Sequence, residues 1–296
     1  MVDVAVPDGA SPQAVERIPP VALVLTGIVS VQFGAAIATT LFDEVGAAGA
    51  SLLRVVFGAA IMALAFRVRV RGYSAADMRL VVCFGLALGA MNLAFYEALD
   101  RIPLGVAVTV EFVGPLSVAV LGSRRALDLL WVVLAAAGIV LLANPLGASG
   151  IDALGLVFAL AAGLCWALYI VLAARAGPRF RGADGVTIAL VVATVVPLGP
   201  GIAEGGADLL RLELLALGAA VGLLSSAIPY TLEMEALRRM PRRVFSVLMS
   251  VEPAVAALAG LIVLGQGLAA HEVVAIALVV AASAGATRNA MAPVDA

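Results

Sequence analysis

Ten separated apolar runs constrain this chain more than any other feature it has. They cover approximately residues 20–41, 47–66, 79–98, 104–122, 128–144, 153–174, 184–202, 211–233, 244–264 and 270–287. A helix needs about 20 mostly apolar residues to cross a hydrocarbon core ~30 Å thick. Only helices and closed barrels satisfy their own backbone hydrogen bonds there, and barrel strands are about half as long and alternate in polarity. The runs therefore predict an all-α integral membrane protein with ten transmembrane helices. The composition fits: 63% hydrophobic and 13% charged, with a mean hydropathy of +1.12, against about half and a quarter in soluble chains.

Orientation is read from the basic residues, all 18 of which are arginine. With the N-terminus in the cytoplasm, 15 fall in cytoplasmic segments (Arg17; Arg67, Arg69, Arg71, Arg79; Arg124, Arg125; Arg175, Arg179, Arg181; Arg238, Arg239, Arg242, Arg243; Arg288). Arg101 and Arg211 fall outside and Arg54 lies within a span. The positive-inside rule then predicts both termini in the cytoplasm. Residues 1–18 carry three acids and one arginine, so no basic leader precedes the first run, which reads as a retained helix after a short disordered cytoplasmic tail. Residues 289–296 read as a second tail. The arginines are scattered in small clusters, which argues against nucleic acid as a partner. Cys83 and Cys165, each within an apolar run, read as small buried hydrophobes, and no metal-ligand spacing is present.

The sequence also repeats itself. "EALDRIPLGVAVTVEFVGP" (Glu97 to Pro115) aligns without gaps on "EALRRMPRRVFSVLMSVEP" (Glu235 to Pro253), with eight of nineteen positions identical, including the Glu, an Arg and both Pro. The first copy lies across spans three and four, the second across spans eight and nine. Five helices per half is odd, so the halves enter the membrane in opposite directions. Inverted repeats with a central site between them are characteristic of secondary transporters.

Glu111 stands amid otherwise apolar residues, where an ionised carboxylate is costly unless it faces protein or a watery cavity. Pro115 cannot donate to the Glu111 carbonyl, and Pro253 cannot donate to that of Met249, so each half has one weakened helix at the equivalent place. Glu111 aligns with Met249, and Glu252 with Gly114. These slots are three residues apart, on nearly the same helix face, so both glutamates would look into one cavity. Each either titrates and binds there, or is protonated and bonded to a neighbouring carbonyl. Arg54 could bind a substrate carboxylate, pair with a glutamate, or snorkel outward. Gln32, Asn92, Tyr96, Trp166, Tyr169, Ser225, Ser226 and Tyr230 complete the polar and aromatic groups at depth. Glu97, Asp100, Glu233 and Glu235 fall near span ends, as solvated charges would, and His271 is given no role.

"PLGVAVTVEFVGPLSVAVLGSRRALDLLWVVLA", "GLCWALYIV", "IPYTLEMEAL" and "VFSVLMSVEPAVAAL" resemble the EamA family of the drug/metabolite transporter superfamily, and within it the threonine/homoserine exporter branch. The resemblance implies two repeats, over 19–145 and 152–288, in a bacterial cytoplasmic (inner) membrane. It also implies export of small amino acids or related metabolites, driven by the proton gradient and without a cofactor. Glu111, Asn92, Tyr96, Trp166 and Glu252 are the best-matching positions for its central site.

The residues themselves point to a proton-coupled exporter of a small zwitterion, because a desolvated Glu can alternate between a proton and an ammonium. An intramembrane enzyme would need a nucleophile with a base, paired aspartates or metal ligands, and the spans hold none of these sets. A drug exporter would need a more aromatic cavity than a chain 5% aromatic provides.

Overall fold

The computed structural model describes residues 18–121, 127–143, 152–240 and 242–290. All regular structure among them is helical. In chain order the α-helices are α1 Pro20–Thr39, α2 Phe42–Phe66, α3 Ala75–Leu99, α4 Leu104–Glu111, α5 Val113–Leu121, α6 Leu127–Ala143, α7 Ala153–Ala176, α8 Asp184–Ala193, α9 Val195–Gly205, α10 Leu212–Gly222, α11 Ile228–Arg239, α12 Arg242–Met249, α13 Glu252–Leu264 and α14 Ala270–Ala290. A π-helical turn, Leu223–Ala227, joins α10 to α11.

Within the described residues, each of the ten apolar runs is predominantly helical. Seven of the resulting helices are long and apolar enough to cross a membrane, and Leu104–Val118, Leu130–Leu141 and Ala270–Gly285 form shorter apolar helices. The expected N-terminal tail lies outside the described residues apart from Ile18, as do the last six residues of the expected C-terminal one. Arg17, Arg124 and Arg125 are also outside them.

Both proline-weakened helices are interrupted where their sequences align. The first breaks at Phe112, between α4 and α5; the second breaks at Ser250 and Val251, between α12 and α13. At the second break the N–H groups of Ser250 and Val251 reach back three residues, to Val247 at 3.2 Å and Leu248 at 3.0 Å. Beside the first break the backbones of α5 and α7 almost touch. A Cβ on Gly114 would collide with the Gly163 carbonyl, and one on Gly163 would stand 2.7 Å from the Glu111 carbonyl oxygen. Small residues permit such an approach, which dispersion and packing reward in lipid.

Helices α8 and α9 run antiparallel along α2 and hold it at both ends. At one end the Glu204 carboxylate accepts the Ala48 N–H at 2.9 Å, where α2 restarts after a kink at Gly46 (φ 70°, ψ 172°). At the other, Asp184 accepts the Arg69 N–H at 3.3 Å and the Tyr73 hydroxyl at 2.6 Å. Burial and then the Asp184 bond raise the Tyr73 hydroxyl above its ordinary pKa. Contacts between connections join ones that the arginine pattern assigns to the same side. Arg179 meets Asp77 and Arg239 meets Ile18 at the arginine-rich end. Arg211 pairs with Glu44, and Gln266 accepts the Leu104 N–H, at the opposite end.

Cys83 corrects the expectation of burial, because it is exposed on the surface of the bundle, while Cys165 is half-buried. Lipid tails are as apolar as a protein core, so hydropathy alone does not distinguish the outside of a membrane helix from the inside.

Candidate functional site

The broken helices, α1–α3, α7, the π turn, α11 and α14 enclose a cavity of about 540 Å³. It falls within the range typical of small-ligand sites, about 300–1,000 Å³. Nine of the eleven groups at depth singled out in the sequence line it: Gln32, Arg54, Asn92, Glu111, Trp166, Tyr169, Ser225, Tyr230 and Glu252, while Ser226 packs against Gly58. Tyr96 does not line it. It is fully buried behind Arg54, whose Cζ stands 5.5 Å from its ring centroid, and it packs on Phe42 and Phe95.

Arg54 is 6% exposed and forms no ion pair among the described residues, although three carboxylates share its cavity. Its Nη2 donates to the Ser225 carbonyl at 3.0 Å, and its Nε has no hydrogen-bond partner. The Ser225 carbonyl is free to accept because Pro229, four residues on, has no N–H to return. The π turn spreads this surplus, and the neighbouring Leu224 carbonyl accepts Ser30 Oγ at 2.7 Å. Gly34 of α1 and Gly58 of α2 press on Ser225 and Ser226, so the turn is held between two helices. Of the three alternatives for Arg54, outward snorkelling and a glutamate ion pair are both absent from the structure.

Glu111 and Glu252, each 6% exposed, face the cavity from α4 and α13 as their alignment predicts. The Glu111 side chain has no hydrogen-bond partner among the described residues, and it lies within electrostatic reach of Arg54. Glu252 receives a long 3.5 Å bond from Gln32 Nε2 on one oxygen, while its other oxygen and Gln32 Oε1 have no partner. Asn92 Nδ2 bonds the Leu88 carbonyl at 2.8 Å. Trp166 meets Phe112 edge-on, and Tyr169 packs on Phe84.

Glu233 does not lie at a solvated span end as its sequence position suggests. The structure sets it, half-buried, in the cavity wall on α11 and within electrostatic reach of Glu252. Its i, i+3 spacing from Tyr230 was the available signal. Glu235, by contrast, pairs with Arg238 and Arg239 as expected of a solvated charge.

Exposure grades along the cavity. Ala35, Arg54, Asn92, Phe95, Val108 and Glu111 are buried, and beyond them Leu41, Val45, Leu99, Ile102 and Leu104 fill the opposite end. Towards the arginine-rich end, Val118, Ala173, Phe245 and Ser246 are half-exposed and Leu237 is exposed. Side-chain exposure along the cavity is greatest toward the arginine-rich end.

An apolar helical bundle built around a charged cavity is the arrangement of a membrane transporter. The model of the EamA-like transporter family matches residues 153–288. The curated threonine/homoserine exporters RhtA of Salmonella typhimurium (strain LT2) and of Escherichia coli (strain K12) are each 43% identical over 271 residues, covering 90% of this chain and 91% of theirs. A solved crystal structure, 20% identical, shares the fold over 91% of this chain and 97% of its own, with a TM-score of 0.61. The chain belongs to the EamA-like transporter family, in its threonine/homoserine exporter branch.

Proposed function

We propose that this protein exports small amino acids of the threonine and homoserine type across a bacterial cytoplasmic membrane in exchange for protons. The observation that carries the reading is the central cavity. It holds three carboxylates and one guanidinium in a chain 43% identical to curated exporters of those amino acids. A buried carboxylate is costly when charged and unpaired. A proton or a substrate ammonium relieves that cost, so a proton held on one cavity carboxylate weakens the hold of its neighbours on an ammonium. Release of substrate on the side where protons are abundant is then antiport, and the proton gradient supplies the drive.

The same reading arranges the chain as ten spans in two inverted repeats, over 19–145 and 152–288, with both termini cytoplasmic. Paired contacts support it: α3 packs on α7 as α11 packs on α1, and α5 packs on α7 as α13 packs on α1. The interruptions at Phe112 and Ser250 occupy equivalent positions.

The test is amino-acid efflux and counterflow in proteoliposomes, with and without a pH gradient. Threonine, homoserine, an aromatic amino acid and a cationic drug serve as substrates. Wild-type protein should move the first two, faster with the gradient. Glu111→Gln keeps size and hydrogen bonding but cannot titrate, so it should fold, exchange substrate and lose the gradient effect. An unchanged pH dependence in well-folded Glu111→Gln would end the coupling proposal, and movement of the drug alone would end the substrate proposal.

A further inference from the structure

We propose that Arg54 and Ser225 form the pole of the transport site that receives the substrate's carboxylate, and that Glu252 and Gln32 form the pole that receives its ammonium. The assignment rests on the transport of an amino acid proposed above, and it fixes which way round the amino acid sits.

Among the described residues, four that line the cavity each carry a buried polar atom without a hydrogen-bond partner: Arg54 Nε, Ser225 Oγ, Gln32 Oε1 and Glu252 Oε2. Unsatisfied groups at this depth are costly, and a native structure retains them where something else supplies the partner. They divide by chemistry and by place. Arg54 Nε and Ser225 Oγ offer hydrogens, and they are joined through the 3.0 Å bond from Arg54 Nη2 to the Ser225 carbonyl. Gln32 Oε1 and Glu252 Oε2 accept hydrogens, and they are joined through the 3.5 Å bond from Gln32 Nε2.

The absence of an ion pair carries the most weight. Arg54 shares its cavity with three carboxylates, yet none lies within 4 Å of it. A salt bridge would neutralise both partners and leave nothing for a ligand. Here the charges are held apart: Arg54 is anchored by the π-turn carbonyl and by the Tyr96 ring beneath it, and Glu252 by Gln32. A cavity with a donor pole and a separate acceptor pole is complementary to a zwitterion. It is a poor fit to an amine lacking a carboxylate, which would leave the guanidinium buried without an anion. Guanidinium also matches carboxylate geometry in a way an ammonium does not.

The experiment measures competition against counterflow of radiolabelled L-threonine in proteoliposomes. The competitors are L-threonine, L-threonine amide and 1-amino-2-propanol, which is threonine without its carboxylate. With wild-type protein the amide and the amino alcohol should compete about 100-fold more weakly than threonine, the scale expected when a buried charge loses its partner. In Arg54→Gln the half-inhibiting concentration of threonine should rise to meet that of the amide, while the amide's stays where it was. Arg54→Lys, which keeps the charge but loses the fork, should fall between.

The inference is overturned if the amide competes with wild-type protein as well as threonine does. It is equally overturned if Arg54→Gln weakens threonine and amide alike, the signature of a purely structural arginine. The wild-type series and Arg54→Lys decide the matter should Arg54→Gln not be recovered as folded protein. Failure of the transport reading looks different, because wild-type protein would then exchange no amino acid at all, and both proposals would fall together.

Discussion

Glu233 and Glu235 stand two residues apart on α11 in opposite circumstances. Glu235 is paired with two arginines near the arginine-rich end, and exposed pairs of this kind contribute about 0–1 kcal/mol. Glu235→Gln should therefore transport almost as wild type does, whereas Glu233→Gln, which changes the cavity wall, should lower transport. Uptake into vesicles at matched expression checks both, and a loss in Glu235→Gln as deep as that in Glu111→Gln would contradict the assignment. Glu111 and Glu252 were legible because a carboxylate within an apolar run stands out and because the repeat gave each a slot. Glu233 was not, because the eighth apolar run stops at residue 233 while its helix continues to Arg239. Six more residues add about 9 Å. Polar residues in a last turn and a half end the hydropathy signal before they end the helix.

At the scale of elements, backbone irregularities do the positioning, and they were unevenly legible. The breaks at Phe112 and Ser250 follow from Pro115 and Pro253, read directly from the sequence. The π turn follows from Pro229 but also needs Arg54 and Ser30 to take up the freed carbonyls, a tertiary arrangement that no local pattern announces. Pro229→Ala restores an N–H that can compete for the Ser225 carbonyl, so it should leave the protein folded but loosen Arg54, seen as weaker threonine competition in counterflow. The kink at Gly46 is a second such point. Its φ of 70° with ψ of 172° belongs to a region open essentially to glycine, and a Cβ there would strike the Glu204 carboxylate. Gly46→Ala should destabilise the protein by about 1–3 kcal/mol for backbone strain alone, read as a lower Tm of the detergent-solubilised protein. A Tm equal to wild type would mean that α2 does not kink there.

For the whole molecule, the helical, membrane-spanning character was legible because hydrocarbon sets helix length, and seven of the apolar runs form helices long enough to cross a membrane. Which face of each helix looks inward was not, as Cys83 illustrates, since lipid and core favour the same side chains. The proposed sidedness predicts that, in a cysteine-free background, a membrane-impermeant maleimide added to intact cells labels Asp208→Cys but not Arg71→Cys. The reverse pattern would turn the topology over. The cavity's surplus of acid then has an electrical meaning. With all three carboxylates ionised and Arg54 charged, the empty site carries two more negative than positive charges. Each charge that traverses the full membrane field is worth about 2.3 kcal/mol per 100 mV. If the protein alternates its access as the proposed exchange requires, an interior-negative voltage would draw such a bare site toward the outside. Under the proposed exchange, two protons bound from outside would make its return electrically neutral, so the voltage would act as a ratchet against the carrier cycling back empty-handed.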